Sequence, residues 1–181
     1  MILEVGSVHM QDQRVFLRQL ALTDVTDAYV SWLNDPQVSR YLLGDIKHHT
    51  RTSTAEFVST AQASSDALLL GIYLSAEPEQ HVGNVRFSSI RAAHGTAEIG
   101  ILIGERRLWG HGLATEALHL SIVLGATRLG LRKLTAGCLS SNVGSIRAFE
   151  KAGFVEAGVR TGQFLLDGVP EDEILLECHL R

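Results

Sequence analysis

Runs of alternating and periodic apolar positions divide the chain into strands and helices, in an order that is neither purely alternating nor repetitive. Arg14–Leu20 alternates, with Val15 and Leu17 against Phe16 and Arg18, and predicts a first strand. Thr23-Asp24 then predicts a helix start, with Val25, Ala28, Tyr29, Trp32 and Leu33 on one face, and Asn34-Asp35-Pro36 predicts its end. The stretch 37–52 is polar and irregular. Behind it Ser53-Thr54-Ala55-Glu56 has the capping-box pattern, with Phe57, Val58 and Ala61 as the expected buried stripe. The middle reads as β: a continuous apolar strand at Ala67–Leu74, a turn at Glu77–Gln80, and strands at His81–Ile90 and Ala97–Ile103. A helix is expected from Leu113 to about Arg128, a strand at Lys133–Leu139, and a short helix at Val143–Lys151 between Asn142 and Gly153. Closing strands fall at Phe154–Arg160 and Glu173–Leu180. The order βα, α, βββ, α, β, α, ββ predicts a mixed α/β (α+β) sheet rather than a strictly parallel one.

Length and composition narrow the function classes. At 181 residues, 45% hydrophobic and 20% charged, the chain suits one domain over 1–181 with a substantial core. The longest apolar run is strand-sized, and the first residues lack the basic start and apolar stretch of a signal peptide. No membrane partner and a cytoplasmic location are therefore expected. Dispersed basic residues and a net charge of −4 argue against nucleic acid. Two cysteines, Cys138 and Cys178, make neither a disulfide framework nor a four-cysteine metal site. His48-His49 is a poor metal pair, because neighbours on an extended chain point apart, and no metal is expected.

Chemistry concentrates in Glu98–Ala117, EIGILIGERRLWGHGLATEA. A strand runs into a loop holding Arg106, Arg107, Gly110 and Gly112, and a helix begins directly after it. Such a loop directs backbone N–H groups and the positive end of a helix dipole at one spot, which suits phosphate. A dinucleotide fingerprint fits poorly, since Thr115 stands where a third glycine belongs, and no G-x-x-x-x-G-K-[ST] is present.

Arg107-Leu108-Trp109-Gly110-His111-Gly112 matches Q/R-x-x-G-x-G/A instead, and here the chain resembles the GCN5-related N-acetyltransferase (GNAT) superfamily. The resemblance extends through Trp32–Leu42, His81–Asn84, Ala97–Ile101 and Asn142–Phe154, and looks most like the RimJ/RimL-like branch. It implies the GNAT fold: a mostly antiparallel mixed sheet of about six to seven strands flanked by about four helices. It implies acetyl-CoA as co-substrate, with backbone groups at Ile101 and Ile103 pairing with the pantetheine arm. Arg106, Arg107, Gly110, His111, Gly112, Leu113 and Ala114 would hold the pyrophosphate, and Asn142 and Phe149 would contact the arm.

Acetyl transfer needs the thioester held against an amine, its carbonyl oxygen stabilised, and the ammonium deprotonated. Glu98 reads as a general base acting through water, or as a solvated strand-end carboxylate. Ser145 reads as the donor that protonates the leaving thiolate, or as a plain helix-start serine. Many relatives carry tyrosine where this chain has Phe149, which has no proton to give. Trp32, Asn34, Arg40, Tyr41 and His94 are candidates for the acceptor pocket, though Trp32 and Tyr41 also suit a core. Trp109 reads as a cap on the core, and Asp24 and Asp27 as helix-start charges. The resemblance implies an amine acceptor, either a small molecule such as a nucleotide-linked amino sugar or a protein N-terminus. A non-catalytic acyl-CoA sensor on the same fold is the alternative. A monomer or a homodimer fits equally.

Overall fold

Apolar runs set where most strands fall, and pairing order does the rest. The computed structural model describes residues 6–9, 13–42 and 48–180. Seven strands form one sheet: β1 (Val15–Gln19), β2 (Leu68–Leu74), β3 (His81–Arg91), β4 (Thr96–Ile103), β5 (Lys133–Leu139), β6 (Val155–Leu166) and β7 (Val169–His179). Their spatial order is β1-β2-β3-β4-β5-β7-β6, antiparallel throughout except for the central β4–β5 pair. The mixed sheet expected from the element order is therefore present.

Helices cover both faces. On one, α4 (Leu113–Thr127) and α5 (Val143–Lys151) pack on Leu17, Leu70, Val85, Ile99, Leu134 and Ala136, the largest core. On the other, α1 (Asp27–Asn34), α2 (Pro36–Ser39) and α3 (Arg51–Ala63) enclose a smaller cluster around Leu20, Tyr29, Trp32, Val58 and Leu69. The described residues thus contain five α-helices, one of them only four residues long. None is long and apolar enough to cross a membrane.

Three local expectations shift, each because a nearer partner wins. Asp24 does not start a long helix. The Arg18 guanidinium takes its carboxylate at 2.9 and 2.8 Å, a 3-10 turn spans Leu22–Asp24, and Thr26 caps α1 instead. The cap of α3 is Thr50, bonded reciprocally with Ser53, three residues before the expected box. Phe57 is then turned outward at 38% exposure, under the guanidinium of Arg86 at 5.4 Å, leaving Val58 and Ala61 as the buried stripe. The closing strands are longer than their apolar content indicated, meeting in a hairpin whose turn holds Asp167 at φ 53 and Gly168.

Candidate active site

The sheet carries a split at its centre. Parallel β4 and β5 pair only at Thr96–Lys133, Ala97–Leu134 and Glu98–Thr135. Beyond Glu98, β4 keeps its antiparallel partner β3 through Ile103 while β5 diverges. An unpaired strand edge inside a sheet is a row of backbone donors and acceptors without neighbours, suited to an extended ligand. A cavity of about 600 Å³ opens along this edge. It runs from the first turn of α4 and from α5, past Ile101–Ile103 and Ser141-Asn142, to Val38, Tyr41 and Leu42 beside α2. It therefore threads the sheet from one helical layer to the other.

One end of the cavity is shaped by glycine. Gly110 (φ 78) and Gly112 (φ 83) adopt the left-handed backbone that a Cβ disfavours. Gly112 is the N-cap of the 15-residue α4 and supplies no side-chain cap. The N–H groups of the first turn, Leu113 to Thr115, have no intrahelical acceptor and point into the cavity mouth. Arg14 braces this loop. Its Nη2 donates to the His111 carbonyl at 2.7 Å, its Nε donates to Glu116 at 2.6 Å, and the two side chains form an ion pair. Dipole and free N–H groups converge on a spot that favours anionic oxygen.

The opposite wall is α5. Asn142 caps it, accepting from Ser145 N at 3.2 Å, and Ser145 Oγ meets the thiol of Cys138 at 3.4 Å. Burial pushes the Cys138 thiol up, so it stands as a neutral S–H or acceptor beside that hydroxyl. Arg147 and Lys151, one turn apart, add two exposed cations to the same wall. They were missed in the sequence, where only their i,i+4 spacing on the face of Gly144 and Ala148 signalled them.

The structure brings Ile101, Ile103, Gly110, Gly112, Leu113, Ala114, Tyr41, Asn142 and Ser145 to the cavity lining. Other candidates lie elsewhere. Arg106 reaches Asp35, the cap of α2, at 3.3 Å and Arg107 reaches Glu105 at 3.4 Å, and neither lines the cavity. His111 is exposed, and its carbonyl rather than its ring is engaged. Phe149 is 2% exposed and packs edge-on to Phe154 at 4.9 Å, inside the α4–α5 core. Trp109, expected as a cap on the core, is 43% exposed; its Nε1 donates to the Ile103 carbonyl at 2.7 Å and it lines the cavity. That bond occupies one of the β4 carbonyls assigned to the pantetheine arm.

On the acceptor side Trp32 is buried in the smaller core, with His81 5.1 Å away and Gly104 directly beneath its ring. His81 lies among Tyr29, Trp32 and Tyr73, where burial lowers its pKa, and its Nε2 sits 2.8 Å from the Gly83 carbonyl and 2.9 Å from Asn84 Oδ1. Asn34 uses its amide on the His49 backbone, donating and accepting at 2.8 Å. His94 is exposed at the far end of β4, where its carbonyl accepts from Arg132 Nε at 2.8 Å. Tyr41 Oη donates to the Ser141 carbonyl at 3.3 Å, and Arg40 reaches Asp167 at 3.0 Å. These two contacts tie α2 to the opposite rim of the split. Glu98 is exposed on the α1–α3 face at the last paired row. Among the described residues no group of three or more His, Cys, Asp or Glu converges as a metal site would.

Comparison with known proteins decides the family. Residues 14–155 match the model of the acetyltransferase (GNAT) domain. The chain belongs to the GNAT acetyltransferase family. Among curated proteins, this GNAT domain is 29% identical over 151 residues to the uncharacterized N-acetyltransferase p20 of Bacillus licheniformis, covering 81% of this chain and 82% of that protein. It is 36% identical over 107 residues to the probable N-acetyltransferase YjcK of Bacillus subtilis, covering 59% of this chain and 58% of that one. Two solved structures share the fold. The spermidine N-acetyltransferase of Vibrio cholerae, in complex with CoA and spermine, has a TM-score of 0.82 at 19% identity, over 92% of this chain and 96% of that one. RimJ of Mycobacterium smegmatis, in complex with CoA-disulfide, has a TM-score of 0.81 at 22% identity, over 96% of this chain and 86% of that one. The protein is an N-acetyltransferase on the GNAT fold, and its split sheet, glycine-capped α4 and cation-lined α5 fit a phosphate-bearing thioester coenzyme.

Proposed function

We propose that this GNAT enzyme transfers the acetyl group of acetyl-CoA directly to the primary amine of a small molecule, and that it belongs to the RimJ/RimL-like branch. The observation carrying this reading is the split of β4 from β5. It gives one cavity with an anion-binding helix end on one face of the sheet and an opening beside α2 on the other. When bound, acetyl-CoA supplies an acyl group activated by a thiol leaving group.

The chain's own residues have separable tasks. The N–H groups of Leu113, Ala114 and Thr115 hold the pyrophosphate, with Gly110 and Gly112 letting the backbone approach. The edge of β4, open at the Ile101 backbone and the Ile103 N–H, aligns the pantetheine arm, and Asn142 contacts it from the end of β5. Glu98 takes the ammonium proton through water, since at neutral pH an amine of pKa about 8 to 10 is mostly protonated. Ser145 Oγ, oriented by Cys138, protonates the departing sulfur in place of the hydroxyl that Phe149 lacks. The ties Tyr41–Ser141 and Arg40–Asp167 across the rim favour a slender small-molecule amine over the terminus of a folded protein. Simple alkylamines and amino sugars fit that description, with nucleotide-linked amino sugars entering by the sugar end.

The test is melting temperature with acetyl-CoA against NAD, followed by thiol release with a panel of amines. Saturation at a hundred times Kd stabilises by about 2.7 kcal/mol, a rise of a few degrees for this length. A rise with acetyl-CoA and not NAD, plus amine-dependent release, is expected. Coenzyme binding without release to any amine would support a non-catalytic acyl-CoA sensor instead.

A further inference from the structure

The split begins between two residues without side chains. Two positions past the last β4–β5 pair, Glu98–Thr135, lie Gly100 on β4 and Gly137 on β5, about 7 Å further along each strand. Leu134, Ala136 and Cys138 face the α4 core, so Gly137 faces the opposite side. Gly100 and Glu98 face that side too, together with Leu102, which packs on the α1–α3 cluster. A Cβ on Gly100 would meet nothing within 4 Å, whereas one on Gly137 would run into Oε1 of Glu173. The β7 carboxylate of Glu173 therefore lies across the bare backbone of Gly137, at the start of the split, on the acceptor side.

Glu173 is a buried carboxylate, 8% exposed, with Arg160 Nη1 donating to its Oε2 at 2.9 Å. Arg160 comes from edge strand β6, and its side chain is 57% exposed. A desolvated carboxylate needs a cation, and a solvent-exposed guanidinium is a replaceable one. The neighbouring β7 carboxylates are engaged differently. Glu177 is held by Lys133, and Glu171 accepts from Ser140 Oγ and Ser141 N at 2.7 Å, shaping the loop before α5.

We propose that Glu173 is the residue that receives the acceptor's ammonium, which takes over the carboxylate from Arg160 and is thereby aligned at the mouth of the split. The inference rests on the amine-acceptor reading and deepens it by naming the recognition residue. A primary ammonium, with three N–H donors and a compact charge, suits the open space that Gly100 leaves on the face where the Glu173 carboxylate lies over Gly137; a neutral acceptor does not replace the guanidinium.

The experiment is calorimetric titration of 1,4-diaminobutane, glucosamine and the dipeptide Gly-Ala into the CoA-loaded protein. It is run for wild type, Glu173→Gln, Gly137→Ala and Arg160→Met, each with its Kd for CoA measured separately. At least one probe is expected to bind wild type and to weaken tenfold or more in Glu173→Gln. It should weaken similarly in Gly137→Ala, which keeps the carboxylate but displaces it. Binding should be unchanged or tighter in Arg160→Met, with CoA affinity constant throughout. Equal amine affinity in wild type and Glu173→Gln, an Arg160→Met loss as large as that of Glu173→Gln, or no wild-type binding of any probe overturns the proposal. In the thiol-release assay, Glu173→Gln should raise the acceptor KM more than it lowers kcat. Failure of the acetyltransferase reading would show instead as no release by wild type.

Discussion

The two rims of the cavity are built by different means. The coenzyme rim is mostly backbone: consecutive residues 110–115, two left-handed glycines and a helix end, with Asn142 closing the other side. The opposite rim is mostly side chains contributed from distant parts of the chain, Tyr41 to Ser141 and Arg40 to Asp167, and the proposed ammonium site, Glu173 with Arg160 across Gly137, is likewise non-local. A site for a common, chemically fixed ligand is written in a short stretch of sequence. A site for a particular substrate is assembled by topology.

Mutations should separate the two rims. The largest effect is expected from Phe149→Ala, which empties a fully packed position shared by α5 and the main core and should cost about 3–5 kcal/mol in denaturant unfolding. Gly112→Val should raise the CoA Kd about tenfold or more, equivalent to about 1.4 kcal/mol, because a β-branched residue resists φ 83. Its acceptor KM should change little, and a change there equal to that in CoA would merge the two rims.

The acceptor layer has a pH signature in Asp24. Burial alone would raise this carboxyl. The Arg18 fork and the Ala21 N–H outweigh that and hold it below its ordinary value of 3.8. A depressed folded pKa adds stability above the unfolded value, and that stability is lost as pH falls through the lower, folded one. Asp24→Asn should therefore lower the unfolding free energy at pH 7 by about 1–3 kcal/mol of lost bonding, with the gap to wild type closing as pH falls through the lowered carboxyl pKa. Ser145→Ala should lower kcat about three- to tenfold without altering CoA affinity. The deficit should shrink as pH rises toward the pKa of the leaving thiol, where the sulfur leaves without a proton. The smallest change is Tyr41→Phe, which loses one exposed hydrogen bond of about 0.5–1.5 kcal/mol and should raise the acceptor KM only a fewfold.

This division also marks what the sequence could disclose. The strand-loop-helix of 98–117 was readable as a structure because neighbouring residues and their spacing set its geometry, whereas the side chains of Arg106, Arg107 and His111 proved to lie off the cavity lining. The strands fell close to their apolar alternation, and Asn142 is the cap its residue type indicated. Asp24 was misread because its partner, Arg18, belongs to the preceding strand rather than to the helix. The box at Ser53 lost to Thr50 because two overlapping caps satisfy the same local rule, and packing of Val58 and Ala61 selects between them. Trp32 suited either a pocket or a core, and Gly104 after β4 and His81 at the start of β3, packed against its ring, place it in the core. Glu173 carried no local signal at all. Its place depends on β7 pairing with β5, and on a glycine two positions away in that register.

The central claim is that the split between β4 and β5 is where acetyl-CoA meets an amine. The most direct measurement is the initial rate of thiol release from acetyl-CoA across a panel of small primary amines, compared between wild type and Gly112→Val at subsaturating coenzyme. The account predicts release that depends on the amine in wild type and falls about tenfold in Gly112→Val. Amine-dependent release that is indifferent to Gly112→Val would contradict it, as would wild-type release that no amine accelerates.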